Sequence, residues 1–175
     1  MNKCQGIIIR KTPLTESSMI VTWCTIDHGV LKTVAKGARR PKSQFSGKLD
    51  LFFEGEFEII RSQKSDLHTL KETSVLLTRV NIRKSYLKTL SASYFVELIN
   101  KVSESDTPIK PLYDLLKRAL EYLEDSEPTL LAIEHYEKEM ARILGILNPE
   151  RPSINTLSDI CKIPLIRSEI LKLLK

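Results

Sequence analysis

Glycine is scarce in this chain. Six glycines in 175 residues form no Walker-type phosphate loop, and no GxGxxG follows a strand. A nucleotide-cradling enzyme is therefore not indicated. Cysteine is equally sparse: Cys4, Cys24 and Cys161 stand far apart with no CxxC pair, which argues against a structural zinc site. An odd cysteine count reads as reduced thiols, with Cys24 in the core. No apolar run approaches the length of a membrane span. The apolar stretch in MNKCQGIIIRK is too short for a signal peptide, so a cytoplasmic protein without membrane contact is expected. His28, His68 and His135 have no nucleophile or metal partner near them in sequence. Glu54, Glu56 and Glu58 alternate along a strand and read as a wet face rather than a metal site. These absences point away from an enzyme and away from any cofactor.

One further absence carries more weight. From Gly29 to Leu49 there is no Asp or Glu, while Lys32, Lys36, Arg39, Arg40, Lys42 and Lys48 fall in the same window. Gly37 sits where an apolar run meets the two arginines. A cationic loop leaving a strand suits a phosphate backbone better than it suits a solvated surface. The wider distribution agrees. Residues 1–90 carry 16 basic and 8 acidic side chains, whereas residues 91–150 carry 6 and 12. A basic half beside an acidic middle suggests two modules with different partners.

The first half reads as strands. Residues 6–11 are a β-branched run. Residues 18–26 have apolar groups on both faces, which predicts burial on both sides. Asp27-His28-Gly29 is a tight turn into a third strand over residues 30–37. Residues 51–60 alternate, with Leu51, Phe53, Phe57 and Ile59 on one side and Phe52, Glu54, Glu56, Glu58 and Ile60 on the other. Residues 67–77 fit a fifth strand. Five short strands at regular spacing suggest an OB-fold barrel, or else a small open sheet.

After Thr78 the period becomes helical. Leu87, Leu90, Tyr94, Leu98 and Val102 form one stripe. Thr107-Pro108 opens a second helix with Leu112, Leu115, Leu116, Ala119 and Leu123 inward, and Glu127-Pro128 opens a third. Two short helices follow, the first capped at Thr156. The chain is thus α+β: a barrel domain over residues 1–80, then an all-α helical domain over residues 81–175.

A single-strand binder needs cations and stacking surfaces. Arg10, Lys11, Arg61, Lys64, Arg79, Arg83 and Lys84 add charge at the ends of the sheet. Trp23, Phe45 and Phe52 are the stacking candidates, of which Phe45, inside the basic loop, is the strongest. Trp23 and Phe52 read as core or as module interface.

The segment GIIIRKTPLTESSMIVTWCTIDHGVLKTVAKGARRPKS resembles the N-terminal signature of the bacterial RecO family of recombination mediators. The resemblance rests on the GIIIR strand, Glu16-Ser17, T-x-x-HG at Thr25 to Gly29, and VAKGARRPKS. The helical half is similar through LLKRALEYL and through Tyr136-Glu137 running into Leu144-Gly145, so about 150 residues are covered. The resemblance implies an OB-fold joined to a helical domain, binding of single- and double-stranded DNA, and annealing of complementary strands. It also implies partnership with RecR and with the tail of the single-stranded DNA-binding protein SSB, so that RecA loads on SSB-coated DNA at the nucleoid. By the matching motif, Lys36, Arg39, Arg40 and Lys42 contact DNA. Arg10, Lys32, Lys48 and Phe45 join them on the residue reading.

The sequence departs from the family in two places. No four-cysteine zinc motif follows the third long helix, where residues 148–155 run straight on. Glu134 and His135 occupy places where relatives often carry arginines near the pocket for the acidic SSB tail. Lys117, Arg118, Lys138 and Arg142 are the cations that compensate, and the first two with Arg142 form the expected partner site. The alternative is a non-enzymatic scaffold whose acidic helical domain docks a repair partner.

Overall fold

Five strands account for most of the first 77 residues: β1 (Asn2–Pro13), β2 (Met19–Thr25), β3 (Gly29–Ala35), β4 (Glu54–Ile60) and β5 (Leu67–Leu77). The computed structural model describes residues 2–104 and 107–175. The strands close into a barrel in the order β1-β2-β3-β5-β4. Only β3 and β5 run parallel, and β1 pairs with both β2 and β4, which completes the closure. This is the OB-fold, and closure removes the sheet edges that an open sheet would leave unpaired.

The interior is built on Trp23, whose ring stacks on Phe57 at 4.0 Å between centroids. Its indole nitrogen donates to Thr33 Oγ1 at 2.9 Å, and that hydroxyl donates on to the Val21 carbonyl at 3.3 Å. The one polar group of the largest core side chain is thereby satisfied. Ile8, Leu31, Ile59 and Leu70 complete the packing. In β2, Val21, Thr22, Trp23, Cys24 and Thr25 are all buried, as the two-faced pattern predicts.

The fourth strand departs from expectation. It begins at Glu54, and Leu51 to Phe53 form the turn before it. Phe57 and Ile59 point inward as read, but Glu54 and Glu58 are buried rather than wet. Donors make this tolerable: Gln5 Nε2 lies 3.0 Å from Glu54 Oε1, and Lys71 Nζ lies 3.1 Å from Glu58 Oε2. Alternation reports which residues share a face, not whether that face is open to water.

By its contacts the chain divides into two units, residues 1–78 with 103–110, and residues 79–102 with 111–175. In the first, Gly29 adopts φ +62° in the β2–β3 turn. A Cβ built there would collide with the Thr107 carbonyl oxygen and approach that of Glu104 to 2.9 Å. Glycine is required twice over, by its backbone and by the close approach.

The second unit holds a 3₁₀ turn (Val80–Lys84) and helices α1 (Tyr86–Val102), α2 (Lys110–Asp125), α3 (Leu130–Ile143), α4 (Ser153–Ser158) and α5 (Ile166–Leu173). The helix starts differ from those expected. Helix α2 opens at Lys110-Pro111 rather than Pro108. Pro111 sits in the first turn, where a missing N–H costs nothing. Helix α3 is capped by Thr129, whose hydroxyl accepts from Ala132 N at 3.1 Å, so Glu127-Pro128 lies outside it. Thr156 falls inside α4 instead of capping it, and returns its hydroxyl to the Ser153 carbonyl at 2.8 Å. Phe95 and Tyr136 stack at 4.1 Å in the core of this unit. Arg79, counted among the surface cations, is only 2% exposed, in a left-handed conformation ahead of the 3₁₀ turn.

Candidate nucleic-acid interface

The acid-free window comprises β3 and the first part, as far as Leu49, of the long connection from Lys36 to Phe53. The connection is a chain of tight turns. Arg40 N donates to the Gly37 carbonyl at 3.1 Å, Ser43 N to Arg40 at 3.1 Å, and Lys48 N to Phe45 at 3.0 Å. Gly37 takes φ +69°, which lets the chain turn directly out of the strand.

Phe45 anchors this loop. It is 3% exposed and packs into the barrel core with Trp23 and Leu31. The expected stacking role on DNA is corrected here, because the ring has no open face to offer a base. Burial of a large apolar side chain outweighs its placement in a basic stretch. Trp23 and Phe52 are buried too, as read.

The cations remain outside. Lys36, Arg39, Arg40, Lys42 and Lys48 are all exposed. Arg10, Thr22 and Lys32 form one row across β1, β2 and β3, with both cations exposed and Thr22 buried between them. Among the described residues, no carboxylate lies within ion-pair distance of Arg10, Lys32, Lys36, Arg39, Arg40, Lys42 or Lys48. Lys11, by contrast, is engaged by Asp50 Oδ1 at 2.8 Å and by the Leu49 carbonyl at 3.1 Å. Arg61 lies against His28, with Nη2 3.2 Å from Nδ1.

The loop cations are not one uniform patch. Lys36 and Arg40 share a concavity of about 500 Å³ with Thr15, Ser17 and Ser18 of the β1–β2 turn. Lys48 lines a different one, of about 330 Å³, in the company of Glu56, Glu58 and Glu72. Arg39 is tied down: its backbone N donates to the Ser17 carbonyl at 3.0 Å and its Nη1 to the Thr15 carbonyl at 2.8 Å. The sequence does not place the turn residues Thr15, Ser17 and Ser18 beside the basic loop; only the tertiary fold brings them there.

In the helical unit, Lys117, Arg118 and Arg142 come together on one open groove of about 700 Å³ between α2 and α3. Asp114 and Glu121 line it as well, so its charge is mixed. Arg142 also reaches Glu139 at 2.7 Å, and its hydrogen bonds hold the Glu139 carboxyl below the usual carboxylate range. Glu134 and Lys138 face a separate cavity of about 510 Å³, shared with Arg151 and Arg167, while His135 is exposed on α3. Among the described residues, no three His, Cys, Asp or Glu side chains cluster as a metal ion requires. Nor is any helix among them long and apolar enough to cross a membrane.

Comparison with known proteins agrees with this two-part layout. Residues 1–79 match the family region described as "Recombination protein O N terminal", and residues 83–147 match "Recombination protein O C terminal". The DNA repair protein RecO of Listeria monocytogenes serotype 4a is 32% identical over 146 residues, which is 83% of this chain and 56% of that protein. The Bacillus subtilis strain 168 protein of the same name is 29% identical over 147 residues, covering 83% and 56%. That of Syntrophus aciditrophicus is 28% identical over 164 residues, covering 94% and 61%. The chain thus spans little more than half the length of these relatives. With a closed N-terminal barrel, a helical region behind it in sequence and both regions matched, the chain belongs to the RecO family of DNA repair proteins.

Proposed function

We propose that this chain is a non-enzymatic recombination mediator that binds single- and double-stranded DNA through the barrel. The observation that carries this reading is the set of exposed loop cations with no carboxylate partner among the described residues. Elsewhere in the chain, cations such as Lys11, Lys71 and Arg167 are matched by acids. Unmatched cations on one loop repel each other and are relieved by a polyanion. Lys32, Lys36, Arg40, Lys42, Lys48 and Arg10 supply the charge, with Arg39 beside them on the loop. Because phosphates rather than bases are held, binding is independent of sequence, as annealing of any complementary pair requires.

In this reading the chain acts in the cytoplasm at the nucleoid. It anneals complementary strands and, with RecR, assists loading of RecA on SSB-coated DNA. The acidic SSB tail docks on the groove of Lys117, Arg118 and Arg142. Asp114 and Glu121 on the same groove oppose an acidic ligand, so that contact is the weaker of the two.

The test is fluorescence anisotropy of labelled single- and double-stranded oligonucleotides over a salt series, followed by an annealing assay. Tight, salt-sensitive binding to both forms is expected. Absence of binding at low salt would remove the reading.

A further inference from the structure

The two neighbouring arginines of the loop are not equivalent. Arg39 spends its guanidinium and its backbone N–H on the β1–β2 turn, holding the Thr15 and Ser17 carbonyls at 2.8 and 3.0 Å. Within that turn, Thr15 Oγ1 accepts from Ser17 N at 3.3 Å and Ser18 N at 3.0 Å, and Leu14 N donates to the Ser18 carbonyl at 3.0 Å. The turn is therefore rigid within itself and clamped to the loop by one residue. Arg40 makes no such contact. Its stem lies over Gly37, with Cδ 3.6 Å and Nε 3.9 Å from where a Cβ would stand.

Clamping the turn completes the concavity of about 500 Å³ that Lys36 and Arg40 line. Ser17 and Ser18 line the same concavity, and their hydroxyls make no hydrogen bond among the described residues. Among the described residues no carboxylate lines it, although Glu16 stands between Thr15 and Ser17 on the turn. Two unmatched cations and two serines with uncommitted hydroxyls thus line one open space, and together they offer the donor set a phosphodiester takes.

We propose that this concavity seats a single backbone phosphate of bound DNA between Lys36, Arg40 and the Ser17–Ser18 hydroxyls, and that Arg39 is a positioning residue which holds the turn in place. The proposal rests on the DNA-binding reading and refines it. It assigns to the β1–β2 turn a part in DNA binding, and it separates Arg39 from the phosphate-neutralising charges.

The test uses the full chain and a labelled single-stranded oligonucleotide over a salt series, with circular dichroism melts to verify that each variant is folded. One neutralised phosphate contributes a slope of about −0.7 to log K against log salt for a single strand. If Lys36 and Arg40 share one phosphate, Lys36→Ala and Arg40→Ala each leave most of that term, and the double variant loses about 0.7 in all. A loss of about 1.4 in the double variant would mean two separate phosphates and overturn the shared seat. Ser17→Ala with Ser18→Ala should weaken binding by about fivefold without altering the slope.

For Arg39 the decisive comparison is Gln against Ala. Arg39→Gln retains a donor for the Thr15 carbonyl without the charge, so it should keep the wild-type slope and bind within about twofold of wild type. Arg39→Ala should bind about fivefold more weakly at that same slope. Equal loss of about 0.7 in slope for both variants would make Arg39 a phosphate contact and overturn its positioning role. A wild-type chain that binds no oligonucleotide removes the DNA-binding reading itself. A wild-type chain that binds, with an unchanged slope in the Lys36/Arg40 double variant, removes only the seat.

Discussion

Arg167 on α5 holds Glu137 on α3 in a two-point ion pair, Nε to Oε1 at 2.6 Å and Nη2 to Oε2 at 3.1 Å. Glu137 is 1% exposed and also accepts the Tyr94 hydroxyl at 2.7 Å. Burial and the Glu137 charge push the Tyr94 hydroxyl above its usual range, so it remains a donor at every physiological pH. Three helices are thus tied through one carboxylate.

Removing the cation leaves that carboxylate buried and short of a partner. Arg167→Ala should destabilise the helical unit by about 3 kcal/mol, and Tyr94→Phe by about 1 kcal/mol. Denaturant unfolding followed by circular dichroism reads both. Equal, negligible losses would mean that α5 is held by its apolar contacts alone.

Gly29→Ala should cost the barrel about 2 kcal/mol or more, because φ +62° and the Thr107 carbonyl both oppose a methyl group. Thermal unfolding measures it. A melt unchanged from wild type would show that the turn and the Glu104 and Thr107 backbone yield at little cost.

Phe45→Ala should destabilise the barrel by about 3–5 kcal/mol through the cavity it leaves. Phe45→Leu should preserve oligonucleotide affinity, since an anchor needs bulk rather than a π-face. Loss of about 1–3 kcal/mol of binding in a stably folded Phe45→Leu chain would restore the stacking role.

Cys24 is fully buried, and burial pushes its thiol up to about 12. Its thiolate is therefore negligible at pH 8. Cys4 is buried as well, whereas Cys161 is partly exposed, with burial raising its thiol and Lys101 opposing the rise. Iodoacetamide at pH 8 should modify Cys161 in the native chain, and all three thiols only after unfolding. Native labelling of Cys24, read by peptide mass, would contradict the packing of β2.

The barrel was readable because strand and turn chemistry are local. Gly29 and Gly37 mark real turns, the two-faced pattern of β2 matches its burial, and Leu67–Leu77 is a strand with those bounds. What stayed hidden depends on partners distant in sequence. Glu54 and Glu58 are buried because Gln5 and Lys71 reach them, 49 and 13 residues away. Phe45 looks like a loop residue until the core claims it. Arg39 and Arg40 are indistinguishable as a dipeptide, and only the Thr15 carbonyl, 24 residues away, tells them apart. The α2 and α3 starts lie two residues beyond the Thr-Pro and Glu-Pro pairs, because a better-placed proline or cap follows each, and the α4 cap lies four residues before Thr156.

If the loop cations neutralise DNA phosphates, removing them must flatten the dependence of binding on salt. The chain carrying Lys36→Ala, Arg40→Ala and Lys42→Ala together should be titrated beside wild type with the same single-stranded oligonucleotide. A slope smaller in magnitude by about 1.4, one unit of 0.7 from the shared seat and one from Lys42, is the predicted result. Wild-type affinity and an unchanged slope in that folded variant would mean that the loop holds no phosphate.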